Sequence, residues 1–190
     1  MPEKTAPAAG QILIAEYNYI AQTIFQANED RSRVASFYMI TFGSFIAALV
    51  TYRTTITSEQ LAWVQWGFAG LFFSLALIGL LTVLQLARLR LAWFEGVDAM
   101  NRIKEYYIAG SKGLEEAFAW RSEAAPARFK LSSVGFMLVV QVSVLAGAGL
   151  GTAVFFALQA LSGSDWPWLA FLAGGGYCLL QLDVYRNMLK

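Results

Sequence analysis

Apolar positions along this chain fall into long charge-free runs and into segments where they return every three or four residues. The charge-free runs cover 34–52, 60–87, 131–164 and 166–182. A helix that crosses a bilayer needs roughly 20 apolar residues. Each run therefore predicts a spanning helix, with expected bounds of 34–52, 61–87, 131–160 and 166–185. The fourth is the shortest and draws on its flanks.

The periodic segments flank the first two runs. Residues 11–33 carry Leu13, Tyr17, Ile20, Ile24 and Ala27, and residues 88–109 carry Leu89, Trp93, Gly96, Met100, Ile103 and Tyr107. This spacing puts one apolar seam on each helix, as in packed helices. Neither segment contains proline, so each can continue its neighbouring span, projecting roughly 30–35 Å beyond it. The matched lengths predict one long antiparallel hairpin with Ile20 and Ile103 at helix-packing positions, and with Glu29 and Asp30 near the depth of Arg88 and Arg90. The alternative is that 11–33 lies flat on the membrane. Such surface helices carry a basic polar face, whereas this face shows Glu16, Asn18, Gln22, Gln26 and Glu29. Packing against protein is favoured.

Residues 1–10 read as a disordered polar tail without a signal-peptide core. Residues 110–130 read as a connector, with a short helix over Leu114–Ser122 stopped by Ala125-Pro126. Thr57-Ser58-Glu59-Gln60 suits a capping box into the second span. Asp165 and Pro167 suit the start of the fourth. The expected fold class is all-α: a polytopic membrane protein with four transmembrane helices in two hairpins and long cytoplasmic helical extensions, residues 11–190 forming one membrane domain.

Composition agrees. Of the 190 residues 57% are hydrophobic and 14% charged, and mean hydropathy is +0.51. Soluble domains carry about a quarter charged residues, and a chain this short cannot hide so much apolar surface in one globular core. The lipid bilayer is the expected solvent. Net charge is +1, which gives no basic bias toward nucleic acid.

Charge placement predicts orientation. Of the 14 basic residues only Arg53 falls beside the connections after the first and third spans; the rest lie in the N-terminal segment, the central segment and the C-terminal tail. Lysine and arginine mark the cytoplasmic side, so both termini are expected in the cytoplasm. Aromatic residues, which prefer the headgroup level, add to this: Tyr52, Trp63, Trp66, Trp166 and Trp168 at the outer ends, and Tyr38, Trp93, Phe129 and Tyr185 near the inner face.

Candidate chemistry is sparse. There is no histidine, which removes the commonest general base and metal ligand. Cys178 is the only cysteine and sits in an apolar run, where a thiol is most simply a small packing residue. No catalytic, cofactor-binding or metal-binding residue is expected, and no cofactor. Asp183 is the one acidic residue near a span; it is expected at the interface, paired with Arg186. Gln65, Gln85, Gln141, Ser143, Thr152, Gln159 and Gln181 are uncharged polar residues within the runs, suited to interhelical hydrogen bonds or to a polar seam. Ser143, Gly147 and Gly151 form a small-residue stripe that lets another backbone approach, with Gly174-Gly175-Gly176 a facing surface in the same chain or a second copy the other occupant.

With EYNYIAQTIF in the first periodic segment and AMNRIKEYY in the second, the layout of residues 11–109 resembles the SLATT-type membrane modules of prokaryotes. The resemblance implies a membrane-perturbing effector in conflict or nucleotide signalling. The second pair of spans departs from that two-span pattern, and no functional residue carries over. The expectation is a non-enzymatic bacterial inner-membrane protein acting through self-association as a homo-oligomer, as an effector or pore controlled by the cytoplasmic hairpin. The alternatives are an anchor or accessory subunit for a soluble cytoplasmic protein partner, and a small-solute channel or transporter.

Overall fold

The computed structural model describes residues 9–52, 61–110, 127–163 and 166–190. The described residues form four helices: α1 (Ala9–Tyr52), α2 (Leu61–Gly110), α3 (Val134–Ser162) and α4 (Pro167–Met188). The fold is all-α. Helices α1 and α2 run 44 and 50 residues without interruption, as expected for segments lacking internal proline. The capping box at Thr57–Gln60 and the short helix expected over Leu114–Ser122 lie outside the described residues.

Three helical segments are long and apolar enough to cross a membrane: Gly10–Val50, Ala62–Gly110 and Val134–Ser162. They mark the chain as a helical membrane protein. Helix α4 is not among them. It has 22 residues, and Gly174-Gly175-Gly176, Gln181, Asp183 and Arg186 dilute its apolar content.

Helix ends follow local chemistry. Ser133 caps α3, its hydroxyl accepting from the Phe136 N–H at 3.2 Å, so the helix starts three residues later than the charge-free run. Gly163 closes α3 with φ 61°, and its N–H donates to the Gln159 carbonyl. That left-handed conformation is strained for residues with a Cβ. Pro167 opens α4, where its missing N–H costs nothing.

The chain divides into two compact units, 1–30 with 89–128 and 31–88 with 129–190. In the first, Ile20 and Ala27 are buried, and Leu13, Tyr17 and Ile24 are half-buried. Gly96 receives two of these: a Cβ there would meet the Ile24 side chain at 2.6 Å and Ile20 at 3.8 Å. Arg90, also buried, stacks its guanidinium over Trp93 at 4.8 Å and Phe94 at 4.6 Å from the ring centroids. Such contacts hold a cation's stem and face in apolar surroundings.

In the second unit Tyr38, Phe72, Leu75, Val83, Val139 and Val142 are fully or almost fully buried. Contacts run Tyr38 to Gly79 and Phe42 to Phe72, and from α2 to α3 at Gly79–Ala146 and Phe68–Phe156. Numbers rise along one helix as they fall along the other. Each of these two pairs is therefore antiparallel within the unit.

Candidate functional site

The second unit holds most of the chemistry that sequence reading singled out, and α3 and α4 organise it. Small residues recur on α3 at Ser143, Gly147 and Gly151, one helical turn apart. The structure places α4 directly against them. A Cβ at Gly147 would lie 2.6 Å from the Gly174 carbonyl oxygen, and one at Gly151 would lie 2.8 Å from the Ala170 carbonyl oxygen. A Cβ at Gly174 would in turn lie 2.5 Å from the Gly147 carbonyl oxygen. The two backbones touch, so the stripe is occupied within the chain. Gly175 and Gly176 have open space where a Cβ would stand. Of the three consecutive glycines only Gly174 belongs to this contact. Cys178 packs beside Gly147, 3.1 Å from its would-be Cβ.

Two tyrosines join neighbouring helices to α2. The Tyr38 hydroxyl donates to the Leu75 carbonyl at 3.2 Å, and the Tyr177 hydroxyl donates to the Ala76 carbonyl at 3.0 Å. Tyr38 is 0% and Tyr185 2% exposed, which corrects the expectation that they anchor at the inner membrane surface. The signal for Tyr38 was present: it shares a helical face with Ala35 and Phe42, both buried. Trp63, Trp66, Trp166 and Trp168 are exposed.

Thr152 is half-buried, and the other six polar residues of the runs separate into three groups. Gln65 and Gln159 meet across α2 and α3 at 3.4 Å. Gln85 and Gln141 are exposed. Ser143 and Gln181 are both 0% exposed, and Ser143 Oγ, Gln181 Nε2 and Gln181 Oε1 have no hydrogen-bond partner. A buried amide without partners costs free energy on the order of a few kcal/mol. Toward the start of α3, the Arg31 guanidinium lies against Gly135, whose would-be Cβ is 3.0 Å from it and 3.9 Å from the Tyr185 hydroxyl.

Asp183 accepts from the Asn187 side chain at 2.9 Å and is exposed. The expected pairing with Arg186 gives way to Asn187, which lies one turn on and on the same helical face. In the first unit Ile20 is buried beside Gly96, and Ile103 is half-buried. Buried Asn101 in α2 was not foreseen; it occupies no position of the three-and-four apolar spacing. Among the described residues no group of three or more His, Cys, Asp or Glu side chains gathers as a metal site would require.

Comparison of the chain with protein-family models, with curated proteins and with solved structures finds no match.

Proposed function

We propose that this chain is a non-enzymatic bacterial inner-membrane protein with four spans and cytoplasmic termini, and that it works by self-association through the cytoplasmic parts of α1 and α2. The observation that carries this reading is the set of large apolar side chains left open outside the charge-free runs. Ile12, Ile14, Tyr19, Phe25 and Tyr106 are 56–66% exposed. Ile14 and Phe25 share one flank of α1 and Ile12 and Tyr19 the other; water is a poor neighbour for such side chains, and exposed apolar surface marks interaction sites. A second copy, held in the same membrane and the same orientation, is the nearest source of a matching surface.

Helix α4 is read as the fourth span because it lies backbone to backbone along α3 through Gly147, Gly151 and Gly174. Its 22 residues reach about 33 Å, with Trp166 and Trp168 at one end and Asp183 and Arg186 at the other. The basic residues orient it with the C-terminus inside. The interior of the second unit is filled by Tyr38, Phe72, Leu75 and Val142, which argues against a pore through one chain. An effector of the SLATT type would then conduct or perturb only between copies.

Mass measurement in mild detergent and in nanodiscs, over a range of concentrations, tests the reading. Self-association is expected, and it should weaken when Ile14 and Phe25 are replaced together by serine. A wild-type chain that stays monomeric throughout rejects self-association and favours the same surface as the seat of a soluble cytoplasmic partner.

A further inference from the structure

Helices α3 and α4 share an open apolar groove of about 580 Å³, within the roughly 300–1,000 Å³ of sites for small molecules. Its form follows from the seam. Gly147 lies level with Gly174 and Gly151 with Ala170, and these small residues, with Gly175, leave a hollow that Val144, Phe155 and Phe171 also line. Along α4 the groove runs from Pro167 to Cys178, a rise of about 17 Å. That is close to half of the roughly 30 Å hydrocarbon core of a bilayer, so the groove is one leaflet long. At its Pro167 end stand Trp166 and Trp168, 45% and 53% exposed, rings of the kind that settle at the headgroup level. Its Cys178 end lies near the middle of α4. Thr152 supplies the one hydroxyl in the lining. Because Gly151 is level with Ala170, Thr152 belongs to the Pro167 end. Thr23, Thr41 and Thr82 each donate to the carbonyl four residues back. Thr152 makes no such bond, nor a side-chain bond to any other group of the chain.

We infer that this groove holds one acyl chain of a glycerolipid, with the Thr152 hydroxyl donating to the lipid's ester carbonyl. The inference rests on the reading of α4 as the fourth span and on no other part of the proposed function. Three features select this occupant. The groove is as long as one leaflet and runs along the helices, which suits a single extended hydrocarbon chain. Its hydrogen-bond donor sits at the end marked by tryptophans, where a lipid's chain joins its headgroup through the ester. No lining residue is charged, so the chain and the ester are recognised and the headgroup stays in the interface. A second copy of the chain fits less well. Helices associate in lipid by close backbone approach at small residues, and Gly147, Gly151 and Gly174 already spend theirs on each other. Phe171 is 81% and Val144 53% exposed, and side chains of that size at the groove hold another backbone away. A chain one carbon wide passes between them and gains dispersion contacts along its length.

The test uses the full chain reconstituted in vesicles of dioleoyl phosphatidylethanolamine, extracted in mild detergent and weighed by native mass spectrometry. One retained lipid per chain is expected. Gly175 and Gly176 both have open space where a Cβ would stand, but only Gly175 lines the groove. G175L should therefore fill the groove and lower the retained fraction at least tenfold, while G176L leaves it as in the wild type. T152V should weaken retention by about fivefold, the worth of one neutral hydrogen bond. Equal retention in G175L and G176L marks lipid held without a site and overturns the inference. So does a wild-type chain that keeps no lipid, or a dimer lost in G175L and kept in G176L, which would assign the groove to a second copy. Retention unchanged in T152V overturns the bond to the ester. The span itself is checked separately with L179C in a chain carrying C178A, since Leu179 is 69% exposed on α4. A water-soluble maleimide that labels Cys at 179 in intact vesicles rejects α4 as a span. Shielding from that reagent together with no retained lipid rejects the lipid site alone.

Discussion

Tyr38 of α1 and Tyr177 of α4 donate hydrogen bonds to the carbonyls of consecutive α2 residues, Leu75 at 3.2 Å and Ala76 at 3.0 Å. Both acceptors lie within a continuous helix, so each carbonyl shares its lone pairs between a helical N–H and a hydroxyl. Tyr38 thereby joins α1 to α2 and Tyr177 joins α4 to α2, which ties three helices of the second unit at one level.

Removing either hydroxyl leaves the carbonyl with its helical partner, so the loss is modest. Y38F and Y177F should each destabilise by about 0.5–1.5 kcal/mol. The acceptors are consecutive residues of one helix, so the two sites are close enough to couple and the double variant should depart from the sum. Thermal unfolding in detergent, followed by circular dichroism, reads the effect. A loss in the double variant far above the sum would show that the two bonds act as one unit.

The glycines of the seam predict a sharper contrast. G147A and G174A place a methyl group 2.6 Å and 2.5 Å from a backbone oxygen, an overpacking that should cost about 1–3 kcal/mol. G175A and G176A meet open space and should be neutral or gain up to about 1 kcal/mol from helix propensity. Unfolding midpoints of the four single variants separate the sites. Replacing Gly147 and Gly151 together by leucine should unfold the monomer and not merely dissociate an oligomer, because their partners are in the same chain.

In the first unit, the closeness of Ile24 to Gly96 is open to crosslinking. A cysteine pair at 24 and 96, with Cys178 replaced by alanine, should form a disulfide under mild oxidation, since side chains there approach within contact distance. I20D should abolish the crosslink by placing an unpaired carboxylate at a site only 8% exposed. Crosslinking that survives I20D would show that Ile20 does not hold this contact.

Orientation yields a separate test. Reporter fusions at Lys4, Lys112 and Lys190 are expected inside, and those at Thr55 and Gly163 outside, from the distribution of the 14 basic residues. An outside signal at Lys112 would exclude the four-span arrangement.

Much of the fold was legible from pattern because lipid and helix geometry impose simple rules. Long apolar runs require helices that satisfy their own backbone, and the described helices α1 to α3 cover the first two expected spans and most of the third. The three-and-four spacing at Ile20, Ile24 and Ala27 marked the face that is turned inward. Aromatic residues were less legible. Tyr38 at a run's edge has the composition of an interfacial anchor, yet its burial depends on Gly79 of another helix leaving room for the ring.

By itself the sequence determined helical class, the places where charge stops and lipid-soluble helix begins, and which faces are small or apolar, because these are properties of one segment and its solvent. Only the tertiary structure decided which surfaces meet. The stripe at Gly147 and Gly151 could have faced a second copy, and it is the short distance to Gly174 and Ala170 that assigns it to α4. Gln65, Gln141 and Gln181 are alike as residues in apolar runs, yet one is paired, one exposed and one sealed without a partner. Those fates depend on what stands opposite across a helix interface, a long-range pairing that no local spacing encodes.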